Sequence, residues 1–503
     1  MKKIILACIV GLVSITMLQA QQIKKSAIKV LFVGYDPAKP MPDMKNGRAV
    51  PGMMSEQGFT AEYPVRMPAF KNLLTKYFTS VTTMDVRDWK AEDSNNFDVT
   101  IFDFPTNATK EMTSEVGPNG NRVYKPAEYL PQNFSKPTIF ISGTADQMGR
   151  SIGTKLDWLC LCLDADAHHL NTTHPIFKGP LEKVVPTMVE KPTPDGIFHY
   201  ASGKNMPKQL PMWRVDKVGY LDSENARVGL VARGSRFSES PDTEMISSGV
   251  CQKDVGAVAL GRHGNFFLWG FGASPAGMTD EGQKVFVNTV AYMAQFDGRT
   301  PIARKPNDRM ATTDDVKNIV LGVGKDQYDD YVKTIETMNS QNVELKKKIE
   351  AKQAAGEKLS AIEEQSLPYL DFKQNINPYE DFLKQSMGKF YDKFGTDVEA
   401  YRTYMLTNMP YIYCDPTAFF SYEVDEDAKA LAISNHDIKI LDKCIALLSK
   451  NEQVDLAKRV LTRYTWENFE TAKEWKNWLL KYKSKLFFSE TNGYKFMIDT
   501  YTK

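Results

Sequence analysis

Several things are scarce in this 503-residue chain. Histidine and cysteine each occur six times, and the formal net charge is only +1 with 25% charged residues. A near-neutral balance gives no bulk argument for a nucleic-acid partner or an anionic membrane surface. No phosphate-binding glycine loop is present, which argues against nucleotide or nicotinamide chemistry. Beyond the first twenty residues no apolar run is long enough to span a bilayer, so no membrane span is expected in the mature chain. With residues 1–20 removed, five cysteines remain: Cys160, Cys162, Cys251, Cys414 and Cys444. An odd number argues against a complete disulfide framework. Cys160 and Cys162, in the apolar run Trp158 to Leu163, read as small buried hydrophobes. A Cys-x-Cys metal or redox site is the alternative, without the second pair that would strengthen it.

What is present begins with an export signal. Lys2 and Lys3 precede an apolar run from Ile4 to Leu18, and Leu18-Gln19-Ala20 offers a small residue for cleavage. This reads as a secretory signal peptide cleaved after Ala20, in preference to lipidation at Cys8. The expected location is periplasmic or extracellular.

The length predicts two or three domains. From residue 28 to 298, short apolar runs alternate with helical patterns. Ile28 to Val33, Val81 to Val86, Phe97 to Phe102 and Thr138 to Ile141 read as strands, and Met67 to Phe78 as a helix. That alternation predicts an α/β fold with a doubly wound, mostly parallel sheet. Val228 to Ala232, Val255 to Leu260 and Asn265 to Phe271 read as later strands, closed by a helix over Thr279 to Phe296. Residues 299–312 read as a linker. Residues 313–503 read as a mainly α-helical domain, in which Trp475, Trp478, Leu479 and Tyr482 mark one buried helix face.

In an open α/β sheet, ligands bind beyond the carboxyl ends of the strands. This singles out Tyr35 and Asp36, then Asp103 and Phe104, then Ser142, Thr144 and Asp146. Their carboxylates suit a cation, a sugar or acid–base work; caps and turn closures are the plainer roles. Asp164, Asp166, His168, His169 and His174 are the densest polar group, and imidazole with carboxylate suits a divalent transition metal. The alternative is a surface loop; no cofactor is otherwise expected. Asp242 or Glu244 with His263 would make an acid–base pair if folding joins them, with Arg262 adjacent. Trp213 is a candidate aromatic wall for a sugar.

The strand Lys29-Val30-Leu31-Phe32-Val33-Gly34, the segment His174-Pro175-Ile176-Phe177-Lys178-Gly179 and the run Gly264-Asn265-Phe266-Phe267-Leu268-Trp269-Gly270 resemble the class I glutamine amidotransferase-like fold and, within it, the ThuA-like (trehalose-utilisation) family. The resemblance implies a link to carbohydrate metabolism. It also shows what is missing. The turn that would hold the nucleophilic Cys reads Ser142-Gly143-Thr144, and Arg262-His263-Gly264 stands where a His-x-Glu pair is expected. Glutamine hydrolysis is therefore rejected. Three functions remain: binding of a glycan or envelope protein, carbohydrate hydrolysis by strand-end carboxylates with or without a metal, and a structural part in an envelope assembly.

Overall fold

In the computed structural model, which describes residues 24–42, 54–116, 122–199, 203, 205–306, 310–359, 361–417 and 420–502, short apolar runs become the central strands. The leader, its cleavage site and Cys8 lie outside the described residues. The first part runs through β1 (Ser26–Gly34), α1 (Glu56–Glu62), α2 (Arg66–Tyr77), β2 (Phe78–Asp85), β3 (Val99–Phe102), an outlying hairpin of β4 (Thr113–Val116) and β5 (Arg122–Lys125), β6 (Thr138–Ile141) and α3 (Thr144–Gly149). It continues through β7 (Trp158–Leu163), β8 (Asp166–His168), α4 (Pro175–Lys178), β9 (Met188–Pro192), β10 (Gln209–Arg214), β11 (Gly229–Ala232), β12 (Thr243–Gly249), β13 (Val258–His263), β14 (Phe266–Trp269) and α5 (Asp280–Met293).

The sheet is mixed. Its order is β2-β1-β3-β6-β14-β13-β12-β8-β10-β9, with β11 joined to β13 and β7 to β11. The stretch β2-β1-β3-β6-β14 is parallel; the pairings beyond it are antiparallel. Strands β1, β3, β6 and β14 of the parallel stretch, and the antiparallel β11 and β13, are read from sequence, because burial on both faces makes them largely apolar runs. On one face Phe70, Leu73 and Leu74 of α2 meet Val285, Phe286 and Val290 of α5 over the sheet. Each such side chain contributes about 1.5–3 kcal/mol by leaving water. On the other face lie Phe59, Tyr63, Trp89, Phe134 and Met148.

Two expectations are corrected here. Cys160 and Cys162 form a disulfide within β7. Alternation puts residues i and i+2 on one side of a strand, and their Cα atoms are 5.2 Å apart, within disulfide reach. The other three cysteines are free and buried. The expected linker is also no free tether. Ala303, Lys305, Met310 and Ala311 are buried, and Lys305 donates to Asp157, which Arg236 approaches at 3.4 Å. Gly264, in the turn between β13 and β14, has φ 59°, and a side chain there would strike Pro301 of this strap.

The second part contains α6 (Thr313–Leu321), α7 (Lys325–Ala354), α8 (Ala361–Ser366), α9 (Tyr379–Met387), α10 (Tyr391–Phe394), α11 (Val398–Thr407), β15 (Ile412–Cys414), β16 (Tyr422–Val424), α12 (Glu426–Ala430), α13 (Lys439–Lys450), α14 (Val454–Tyr464), α15 (Ala472–Tyr482), β17 (Leu486–Ser489) and β18 (Lys495–Ile498). It has its own core, in which Trp475, Trp478 and Leu479 are buried as the helical spacing predicts. Among the described residues no helix is long and apolar enough to cross a membrane.

Candidate functional site

Because β1, β3, β6 and β14 are parallel, the segments that follow them meet at one end of the sheet. Asp103, directly after β3, is the centre of that end. Arg66, the first residue of α2, grips it with Nε to Oδ2 at 2.7 Å and Nη2 to Oδ1 at 2.8 Å. Arg227, just before β11, adds Nη1 to Oδ1 at 2.9 Å and Nη2 to the Asp103 carbonyl at 2.9 Å. All three side chains are almost wholly buried. Arg66 also donates to the Gly272 carbonyl and to Glu62 one helical turn earlier. The ring of Phe104 lies 4.4 Å from the Arg227 guanidinium carbon. Burial pulls the Arg227 guanidinium down to about 10, so it remains charged at neutral pH.

Beside this network is a cavity of about 220 Å³, lined among others by Met54, Glu62, Arg66, Ser223, Asn225 and Arg227, with Gly272 to Ser274 on another wall. Ser274 Oγ donates to Glu62 at 3.3 Å. Asp216 lies behind this wall and accepts from the Ala273 N–H at 3.1 Å. Its burial pushes its carboxyl up to about 7, and its Oδ1 has no hydrogen-bond partner among the described residues. A narrower recess joins Tyr35, Phe59, Tyr63 and Phe104 to Glu62 and Asp103.

The other strand-end candidates are committed elsewhere. Asp36 closes a turn by accepting from Ala38 N at 2.9 Å. Asp146 pairs with Arg150 at 2.8 Å. Ser142 adopts φ 52°, the conformation of a tight strand-to-helix turn, but its hydroxyl is buried and donates to the Val228 carbonyl at 2.8 Å. Thr144 Oγ1 donates to the Asp103 carbonyl at 3.0 Å. Tyr35 stays at the recess, with its phenol pushed up by burial.

Glu244, Arg262 and His263 come together, but at the opposite, amino end of the parallel strands. Glu244 faces Arg262 across β12 and β13 and accepts from Arg262 Nε at 2.8 Å and from the Tyr292 hydroxyl at 2.8 Å, with His174 at 3.3 Å. Burial opposes its ionisation, yet these partners hold the carboxyl down at about 2. His263 and Asp242 are 3.4 Å apart and fully buried. His263 Nδ1 accepts from the Lys155 N–H at 3.0 Å, and Asp242 accepts from Ile302 N at 2.7 Å. The expected acid–base pair is therefore a sealed joint without room for a substrate.

The proposed metal cluster is dispersed as well. Among the described residues no group of three or more His, Cys, Asp or Glu is placed to hold a metal ion. Asp166 is inside the sheet on β8, paired with Lys191 at 2.6 Å and Arg214 at 2.8 Å. Asp164 accepts from Leu221 N, and His174 caps α4. His168 and His169 bring their Nδ1 atoms to 2.6 Å, and burial lowers His168 to about 4, which keeps it neutral. Trp213 is no sugar wall: it is buried, and its Nε1 donates to Glu281 at 2.8 Å.

Glu62, Arg66, Asp216, Asn225 and Arg227 carry the cleft and were not found from sequence. The only local signal is the Glu62–Arg66 spacing of four residues, which places opposite charges on neighbouring turns. No family model and no curated protein matches the chain. Among solved structures, a protein from Bacteroides uniformis described as ThuA-like aligns at 11% identity, covering 56% of this chain and 96% of its own, with a TM-score of 0.29.

Proposed function

We propose that this is an exported protein whose α/β part binds a small hydroxyl-rich ligand of carbohydrate type at the carboxyl end of its parallel strands. One observation carries the reading: the cavity of about 220 Å³ mixes hydrogen-bonding side chains, Glu62, Ser223, Asn225 and Ser274, with apolar Met54 and Val218. A sugar ring offers hydroxyls and C–H faces to such a lining. Binding is favoured over hydrolysis because the strand-end carboxylates are engaged, Asp103 by two guanidiniums and Asp146 by Arg150. The ThuA-like sequence resemblance points to the same ligand class, and export rests on the leader.

The test is a thermal-shift screen of the purified mature chain against neutral and acidic sugars. A rise in Tm with some of them, lost in Asn225→Ala, is the expected result; a flat response throughout would sink the proposal. A hydrolytic reading is favoured by one observation, the buried Asp216 carboxyl, pushed up to about 7 and held by the N–H of Ala273 on the cavity wall, with Glu62 also on the lining. It requires turnover of aryl glycosides that disappears in both Glu62→Gln and Asp216→Asn.

A further inference from the structure

We infer that the ligand of this cleft carries a carboxylate, as a sugar acid of the uronate class does, and that Arg227 receives it. The inference rests on the reading of the cleft as a sugar site and adds the charge of the ligand.

The argument begins with a count of charges. Two buried guanidiniums share one buried carboxylate, Asp103. Glu62, the next carboxylate, reaches Arg66 at 3.1 Å and is partly open to solvent. Among the described residues Arg227 has the Asp103 Oδ1 atom as its one anionic hydrogen-bond partner, and that atom also accepts from Arg66. Its Nη2 goes to neutral carbonyls, those of Asp103 and Ile141. Its Nε has no hydrogen-bond partner among the described residues although the side chain is 1% exposed. A buried donor left unmade costs about 1–3 kcal/mol, and more when it is charged. Burial, with the neighbouring Arg66 charge, lowers its pKa more than the nearby carboxylates raise it. Arg227 is on the lining of the cavity with its side chain 1% exposed, so a ligand that shifts that wall can supply what the fold does not. A planar carboxylate matches the guanidinium edge. A phosphate dianion suits the site less than a carboxylate, because Glu62 stands on the same cavity and repels a second negative charge. Ser223 and Asn225 remain for the ring hydroxyls.

The experiment is calorimetric titration of the full mature chain with glucuronate, glucose, acetate and inorganic phosphate at low and high salt. Glucuronate should bind about tenfold or more tightly than the other three, with an advantage that shrinks as salt rises. Arg227→Lys keeps the buried charge but has no guanidinium, and should abolish the preference for glucuronate over glucose. Asn225→Ala should weaken both sugars alike and keep their ratio. Equal binding of glucose and glucuronate would overturn the charge inference and leave the sugar site standing. Acetate or phosphate binding as tightly as glucuronate would overturn the sugar-acid assignment. No binding of either sugar would overturn the reading on which it rests.

Discussion

The two ends of the central sheet are built from the same residue types and use them in opposite ways. At the amino end, charges are paired and covered by other parts of the chain, although His263 Nε2, Asp157 Oδ1 and Arg236 Nε have no hydrogen bond there among the described residues. Glu239 accepts from Lys155 Nζ at 3.0 Å, Ser489 Oγ at 2.8 Å and Glu490 N at 2.8 Å, with the Thr491 hydroxyl as a further donor. Arg262 lies against Phe296 and meets the Tyr501 hydroxyl at 2.7 Å. The helical part thus closes over this end. At the carboxyl end, two arginines share Asp103 next to a cavity, and Arg227 Nε and Asp216 Oδ1 have no partner among the described residues. Paired charge under a protein cover acts as a joint. What sets the carboxyl end apart is the cavity beside its unpartnered donor.

The largest expected effect comes from removing the shared carboxylate. Asp103→Ala leaves two buried guanidiniums facing each other, and breaking such a pair costs about 3–5 kcal/mol. Urea unfolding should show this loss in full. A loss below about 1 kcal/mol would mean that the arginines are solvated and the network is no anchor. At the other end, Glu239→Ala strands Lys155 and the donors of Ser489 to Thr491. A loss of about 2–3 kcal/mol is expected, with faster proteolysis within 299–312. Unchanged cleavage there would show that the joint does not hold the two parts together.

The pH dependence compares the ends directly, since each has one carboxyl at about 7: Asp216 at the carboxyl end, raised by burial, and Glu490 at the amino end, raised by burial and opposed by the N–H and hydroxyl of Thr313. Both folded values lie above the ordinary carboxylate range, so the fold favours the protonated form. Their stabilising contribution is complete below about pH 4 and is lost as pH rises through about 7. Stability should therefore decline between about pH 4 and about pH 7 and level off above that. Glu490→Gln should flatten that decline at the joint, and Asp216→Asn should flatten the remainder. A profile unchanged in both variants would assign the titration to other groups.

What sequence could show follows from chain distance. The parallel strands and α2 and α5 were legible because their burial patterns are local. Strands β8, β9 and β12 were not: β8 has three residues, β9 is largely exposed along its length, and β12 is interrupted by polar Thr243, Glu244, Ser247 and Ser248. The strand-end rule pointed to Asp103 and Tyr35, which line the same recess at the carboxyl end of the parallel strands. Arg227 could not be joined to Asp103, because 124 residues separate them and no local pattern encodes the meeting. The same blindness grouped Glu244 and His263 with Asp36 as candidates, although topology sends them to opposite ends. Proximity in sequence also misled at Asp164 to His174, where alternation and a strand disperse the side chains.

The smallest effect is expected from chelation, and it bears on that last group. A metal at His168 would need Asp166, whose oxygens are taken by Lys191 of β9 and Arg214 of β10. Recruiting it would break two ion pairs that join neighbouring strands within the sheet. Asp164 and His174 are held by Leu221 N and Glu244, which leaves His169 beside His168 and no group of three ligands among the described residues. Treatment with EDTA, or addition of zinc, should leave Tm unchanged. A zinc-dependent rise in Tm that vanishes in His168→Ala would reverse the assignment, because binding only to the folded state must stabilise it, and it would make this segment a second site.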